Sequence, residues 1–483
     1  MTSSLVAAIS WAALLGALAT GCNGQAVEAQ PKVPSPEAAM PVVAGPTDGG
    51  VGGDEGDPTA PVALPPAPVI EAPPGALEPF YAALDRAERG LPDGRVGIVQ
   101  FGDSHTAGDH LTGFLRRALG GRFGDAGRGF VLAGKPPIRH YYLRDVRYGS
   151  TGKWGAELGG KKDNVGPFGL AGVRAHSDRK DAIAWVESCE QCGSDRVARF
   201  DVFYLRTPTS GTLGYRVDDG PWQKHPTKLT GAAATAADAR QAAVLSVPVA
   251  EGRHRLSLRP QGKGRIELFG VALERGTPGV VIDVLGVVGR RLGHLRSWEW
   301  DVIGPQLAAR APALVVLQYG TNEADQVDLD LGALARHYDD VIALIRSHAP
   351  GASILVLGPP DMGVRDAGKA CDKLKPPPRG APVDLDAGVA PECVWHTPAI
   401  LPLVIATQRE AAARNGVAFF DSFAALGGAD RMDVMFHLEP PLAYSDHVHL
   451  TQPGAELWGQ HLVDALLAGY DAWKRQALAS GQP

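Results

Sequence analysis

Near the end of this chain, Asp446-His447-Val448-His449 holds a carboxylate and two imidazoles within one turn. Near the start of its ordered-looking part, Gly102-Asp103-Ser104 holds a hydroxyl among small residues. A serine hydroxyl becomes a useful nucleophile only when a base takes its proton, and that base works best when a carboxylate orients it. Asp446 and His449, three residues apart, can supply both. His447 competes as the base, but the three-residue spacing favours His449. The backbone N–H groups of Ser104 and Gly289 and the side-chain amide of Asn322 would give three donors for a tetrahedral oxyanion. Together these residues spell acyl transfer through a serine ester. The bland alternative is that Asp103 or Ser104 merely caps a helix. His447 and His449 also have a chelating spacing, but a closed metal site needs further ligands. Neither a metal nor a cofactor is expected.

These residues need elements to hold them, and the hydrophobic pattern supplies candidates. Arg95–Phe101 is an apolar, β-branched run, followed by small residues and then by Leu111, Phe114, Leu115, Ala118 and Leu119 at helical spacing. That is a buried strand, a sharp turn and a helix. Strands are also predicted over 280–285, 313–320, 353–357 and 417–421, with helices near 77–89, 331–348, 403–415 and 453–474 between and around them. Such alternation implies a three-layer α/β/α fold on a parallel sheet, with its site at the C-terminal strand ends. Ser104, Gly289, Asn322 and the Asp446–His449 loop all fall there. Between about 173 and 276 the pattern turns to short alternating runs with turn signals such as Asp219-Gly220, which argues for a β-sandwich. The glycine- and aromatic-rich stretch 120–172 fits neither period and reads as long loops with short strands.

Four blocks carry a family resemblance. Gly102-Asp103-Ser104 within Gly-Asp-Ser-His-Thr-Ala-Gly-Asp, then Gly289, then Gly320-Thr321-Asn322-Glu323, and finally Asp446-x-x-His449 resemble the motifs of the SGNH, or GDSL-type, esterase superfamily, in order. The resemblance implies a flavodoxin-like hydrolase domain over 76–172 and 277–478, interrupted by a β-sandwich-like insertion over 173–276. It implies Ser104 as nucleophile, His449 as base, Asp446 as its orienter, and Ser104, Gly289 and Asn322 as the oxyanion hole. Members that deacetylate peptidoglycan are similar in their Gly-Asp-Ser-His-Thr-Ala motif and their β-rich insertion. The substrate this implies is peptidoglycan or another O-acetylated envelope polysaccharide; a lipase- or thioesterase-like esterase for longer acyl chains and a carbohydrate-binding surface lipoprotein with an inactive hydrolase fold are the alternatives. Glu323 stands where Asp is more usual.

The ends and the composition bound the setting. The chain has 483 residues and a formal charge of −6, with no basic stripe to suggest nucleic acid. Leu5–Leu18 is an uncharged apolar run, too short to span a bilayer comfortably, and leads through Ala19-Thr20-Gly21 into Cys22. This resembles a bacterial lipoprotein signal over 1–22, with Cys22 lipidated, although no Lys or Arg precedes the apolar run. Residues 23–75 are rich in Pro, Gly and Ala and poor in aromatics, the composition of a disordered tether. A monomer at a bacterial cell envelope, held by a lipid anchor, is expected. In an exported protein Cys189, Cys192, Cys371 and Cys393 favour two disulfides, with local pairing of Cys189 to Cys192 and Cys371 to Cys393 preferred among three connectivities.

Overall fold

The computed structural model describes residues 69–480, apart from 135, 137, 139, 140, 142, 162, 163, 190–195, 327, 367–370 and 372–390. The expected signal, Cys22 and most of the expected tether therefore lie outside the described residues, as does Cys192.

Five parallel strands carry the site: β1 (Arg95–Gly102), β2 (Gly279–Gly286), β3 (Leu314–Gln318), β4 (Ser353–Leu357) and β5 (Ala418–Phe420), in spatial order β2-β1-β3-β4-β5. This 2-1-3-4-5 order reverses direction at β1, and ligands in such sheets bind outside the strand ends at that switch point. The strands are apolar on both faces because helices cover both. Val96, Ile98, Val280, Ile282, Leu314 and Val316 pack in one core with the helices Glu78–Glu88, His110–Phe123 and Gln452–Ala479. Val99, Phe101, Val315, Leu317, Ile354 and Val356 face the other way, against Trp300–Arg310, Leu331–His348 and Ile400–Arg414. Alternate residues of a strand point to opposite faces, so one strand feeds two layers.

Two antiparallel sheets are inserted between β1 and β2. One contains Gly129–Val131, Gly155–Leu158, Val173–Ser177, Val197–Arg206, Gln241–Gly252 and Ile266–Glu274; the other contains Val146–Thr151, Ile183–Ser188, Thr212–Val217, Gln223–Pro226 and Arg255–Pro260. Their apolar residues share one core, where Tyr204 of the first sheet bonds its hydroxyl to Nε2 of His225 in the second at 2.7 Å. The expected boundary at 173 is thus corrected: strands from Gly129 onward belong to this β-rich part. Short strands are expected in 120–172, but their places in the sheets leave no local signal because their partners are distant in sequence; Phe130 pairs with Ala272, and Gly149 with Trp185. Gly149 also lies under the Trp185 indole, where a Cβ would come within 2.7 Å of the ring.

The end of the expected tether is corrected in the same way. Glu71 pairs with Phe419 through two backbone hydrogen bonds of 2.9 and 2.8 Å, so the chain is docked on the β5 edge before residue 75. Cys371 and Cys393 are disulfide-bonded, with Cα atoms 5.5 Å apart. Cys189 is buried, but its expected pairing with Cys192 lies outside the described residues.

Candidate active site

At the end of β1 the backbone turns at Asp103 into a four-residue helix, Ser104–Ala107. Asp103 is fully buried, and its Oδ1 accepts the His105 N–H at 3.0 Å, so it caps this helix. Capping and catalysis were alternatives in the sequence; here the cap fixes the turn that presents the neighbouring serine. The turn fits because β2 ends in Gly286, where a Cβ would lie 2.1 Å from the Ala107 nitrogen. Thr106 adds a lateral tie: its hydroxyl donates to Gln318 Oε1 on β3 at 2.9 Å and accepts from Gln100 Nε2 on β1 at 3.0 Å.

The loop before the last long helix brings the base. His449 Nε2 lies 2.8 Å from Ser104 Oγ, and its Nδ1 lies 2.7 Å from Asp446 Oδ2. Asp446 Oδ1 accepts the backbone N–H groups of Val448 and His449, both at 3.0 Å, which locks the carboxylate beside the ring it orients. The hydrogen bond that the His449 ring donates to Asp446, together with the Asp446 charge, raises the His449 pKa above the ordinary imidazole value, against the effect of burial. Partial burial disfavours the Asp446 carboxylate, yet its hydrogen bonds from the His449 ring and the two amides hold its pKa well below the usual range.

His447, the competing base, takes no part in this chain. It is buried with φ +54°, bonds Asp433 Oδ1 through Nε2 at 2.9 Å, and stacks on Trp395 with ring centroids 3.9 Å apart. His105, left without a role in the sequence, acts as a strut. Its Nδ1 lies 3.4 Å from Asp103 Oδ1 and its Nε2 lies 3.1 Å from the Val448 carbonyl oxygen, joining the serine turn to the histidine loop.

The expected oxyanion donors sit on the loops after β2 and β3. Gly289 is exposed in a turn at φ +73°, a conformation that favours glycine. The Asn322 amide donates to the Arg290 carbonyl at 3.0 Å, so the two loops are tied together. Glu323 makes the second tie: its carboxylate accepts the Leu292 N–H at 2.8 Å and the Gly320 N–H at 2.9 Å. Burial raises its pKa to about 7, with the nearby Asp103 charge adding to the rise. Sequence reading gave Glu323 no function, although its place three residues after Gly320 is the spacing of a capping-box acid.

A cleft of about 450 Å³ opens at Ser104 and His449. Leu111, Leu450 and Trp458 give it apolar walls, Val288 and Tyr444 contribute to its lining, and Arg144 brings a guanidinium.

The chain is similar to known proteins in part of its sequence and in its fold. Residues 260–457 match the GDSL-like Lipase/Acylhydrolase family, a segment that holds Gly289, Asn322, Asp446 and His449. Ser104 lies outside the matched segment, on the far side of the insertion. A peptidoglycan O-acetylesterase structure is similar over 83% of this chain and 99% of its own, with 23% identity and a TM-score of 0.62. At that identity the likeness is one of fold. A family two carbohydrate esterase from Clostridium thermocellum, in complex with cellohexaose, matches over 65% of this chain and all of its own (100%), with 12% identity and a TM-score of 0.26, too distant to bear on the site. No curated protein sequence matches the chain.

Proposed function

Taking the chain as an SGNH/GDSL-type esterase, a hydrolase of carboxylic esters, we propose that it removes O-acetyl groups from peptidoglycan or another envelope polysaccharide, with Ser104 as nucleophile. The observation that carries this reading is the unbroken relay Ser104 Oγ–His449 Nε2 at 2.8 Å and His449 Nδ1–Asp446 Oδ2 at 2.7 Å, opening on a cleft.

In the proposed mechanism His449 takes the Ser104 proton as Oγ attacks the acetyl carbonyl, and Asp446 stabilises the imidazolium that forms. The tetrahedral oxyanion is held by the Ser104 and Gly289 N–H groups and the Asn322 amide. His449 then returns its proton to the leaving sugar oxygen. Water, deprotonated by the same imidazole, hydrolyses the acetyl-Ser104 ester and regenerates the hydroxyl.

The polysaccharide assignment draws support from the fold shared with a peptidoglycan O-acetylesterase and from the β-rich insertion that the two-sheet architecture provides. The apolar walls at Leu111, Leu450 and Trp458 favour a second reading, an esterase for longer acyl chains. A series of p-nitrophenyl esters separates them: acetate preference supports the first, and longer-chain preference moves the substrate towards lipids. Ser104→Ala is expected to lower kcat by at least about 10⁴-fold with the fold intact; retained turnover would overturn the mechanism.

We further place the protein, by its Leu5–Cys22 sequence, on a lipid anchor at the bacterial envelope. Cys22→Ser is expected to move it from the membrane to the soluble fraction; unchanged membrane retention would refute the anchor.

A further inference from the structure

One charge in the cleft is not used by the hydrolytic relay. Arg144 lines the same cavity as Ser104 and His449 and is exposed to solvent there. The carboxylates around it are committed elsewhere. Asp145, its neighbour in the chain, pairs with Arg116 and Arg128; Asp109 pairs with the same two arginines; Glu456 accepts from Arg117 at 2.9 Å. Asp446, the acid in the cleft lining, is bound to His449. Arg144 instead donates from one terminal nitrogen to a neutral group, the Gln452 side-chain oxygen, at 2.9 Å. That bond fixes the guanidinium on the wall without neutralising it. His110, which lines the cleft beside it, has its pKa lowered by burial and by the Arg144 charge, so it adds no second cation near neutral pH.

A planar guanidinium with donors to spare, set in a cleft that is otherwise largely apolar, matches a carboxylate. We propose that Arg144 is the substrate-anion receptor of this cleft, selecting acetyl esters whose sugar carries a carboxylate over neutral ones. This rests on the acetylesterase reading of the same site and names a substrate class within it. The acetyl group is common to every candidate substrate and cannot discriminate among them, whereas a contact to the alcohol portion can. The binding energy of such a remote contact is available to orient the ester carbonyl towards Ser104.

The test uses the full chain and two related sugars, 6-O-acetyl-N-acetylmuramic acid and 6-O-acetyl-N-acetylglucosamine, which differ by the 3-O-lactyl group that carries the carboxylate. The natural protein is expected to favour the carboxylate-bearing sugar in kcat/KM by about 10- to 100-fold, the range of a charge-assisted hydrogen bond. In Arg144→Gln that ratio is expected to collapse towards one, chiefly through KM, with Arg144→Lys keeping part of it. Raised salt is expected to shrink the ratio in the natural protein and leave it unchanged in Arg144→Gln. A ratio near one in the natural protein, or a ratio that survives in Arg144→Gln, overturns the inference while Ser104-dependent acetate release still upholds the esterase. Absence of acetate release from either sugar and from p-nitrophenyl acetate sinks both.

Discussion

A hydroxyl bonded to an imidazole is only as reactive as that imidazole is basic, and His449 owes its basicity to Asp446. Because Asp446 raises the His449 pKa, the ring stays protonated to a higher pH than a free histidine and cannot then accept the Ser104 proton. The expected profile of kcat/KM is therefore a rise with pH through that elevated value. In Asp446→Asn the charge and its strong hydrogen bond are gone, so the acid limb is expected to move to lower pH. The rate on the plateau should fall by about 10³- to 10⁴-fold, since the ring loses its orienter. A profile whose acid limb does not move would show that Asp446 does not set the His449 pKa. At this scale, Ser104, Asp446 and His449 were legible because their chemistry needs a fixed spacing and fixed residue types. His105 was not, since what defines its role is the Val448 carbonyl, which only the fold brings within 3.1 Å.

The elements explain how the two separate loops that carry the proposed oxyanion donors are held together. The loop after β2 and the short helix after β3 meet through Asn322 to the Arg290 carbonyl and through Glu323 to the Leu292 N–H. Glu323 spends its carboxylate on backbone amides, at the cost of being buried; its pKa stands at about 7 against an ordinary 4.5. Between pH about 4.5 and 7 the unfolded chain has released this proton and the folded chain has not. Stability contributed by Glu323 is therefore full below pH 4.5 and is lost as pH rises through 7. Glu323→Gln is expected to remove that slope from a plot of denaturation midpoint against pH. It should also lower kcat more than it raises KM, because an amide cannot accept both N–H groups and the loops of the proposed oxyanion donors lose their register. A pH slope that persists in the variant would assign it to another group. The strands at the base of these loops were readable from their unbroken apolar runs, whereas the Glu323 clamp joins two loops on different strands and left only the capping spacing as a clue.

Across the whole molecule, the insertion leaves and rejoins the sheet between the adjacent strands β1 and β2, so both of its ends meet the sheet there. A buried ionic cluster sits at that seam. Glu274, the last residue of the inserted sheets, accepts from Arg95 of β1 at 2.7 and 3.1 Å and from Arg310. Arg310 also binds Asp283 of β2 at 2.6 and 3.0 Å, and Asp283 accepts the Phe130 N–H from the other end of the insertion at 2.8 Å. Four charges on four segments therefore lock both ends of the insertion to the sheet that carries Ser104. Sequence patterning reads 173–276 as β-rich and 120–172 only as long loops with short strands, since a strand such as Val146–Thr151 is half-buried and takes its place from a distant partner. No spacing rule links Arg95, Glu274, Asp283 and Arg310, so the weld itself had no local signature. Burial disfavours the Glu274 carboxylate, yet Arg310 and Arg95 hold its pKa at about 2. A depressed carboxylate stabilises the fold above its unfolded value of about 4.5, and that stability is lost as pH falls towards 2. Glu274→Gln, which leaves two arginines short of a buried partner, is expected to cost about 3–5 kcal/mol at neutral pH. The gap to the natural protein should then narrow steadily as unfolding is followed from pH 5 down to about 2.5 by urea titration. A gap that stays constant across that window would mean that Glu274 contributes by shape and not by charge, and that its end of the insertion is held to the sheet without its ion pairs.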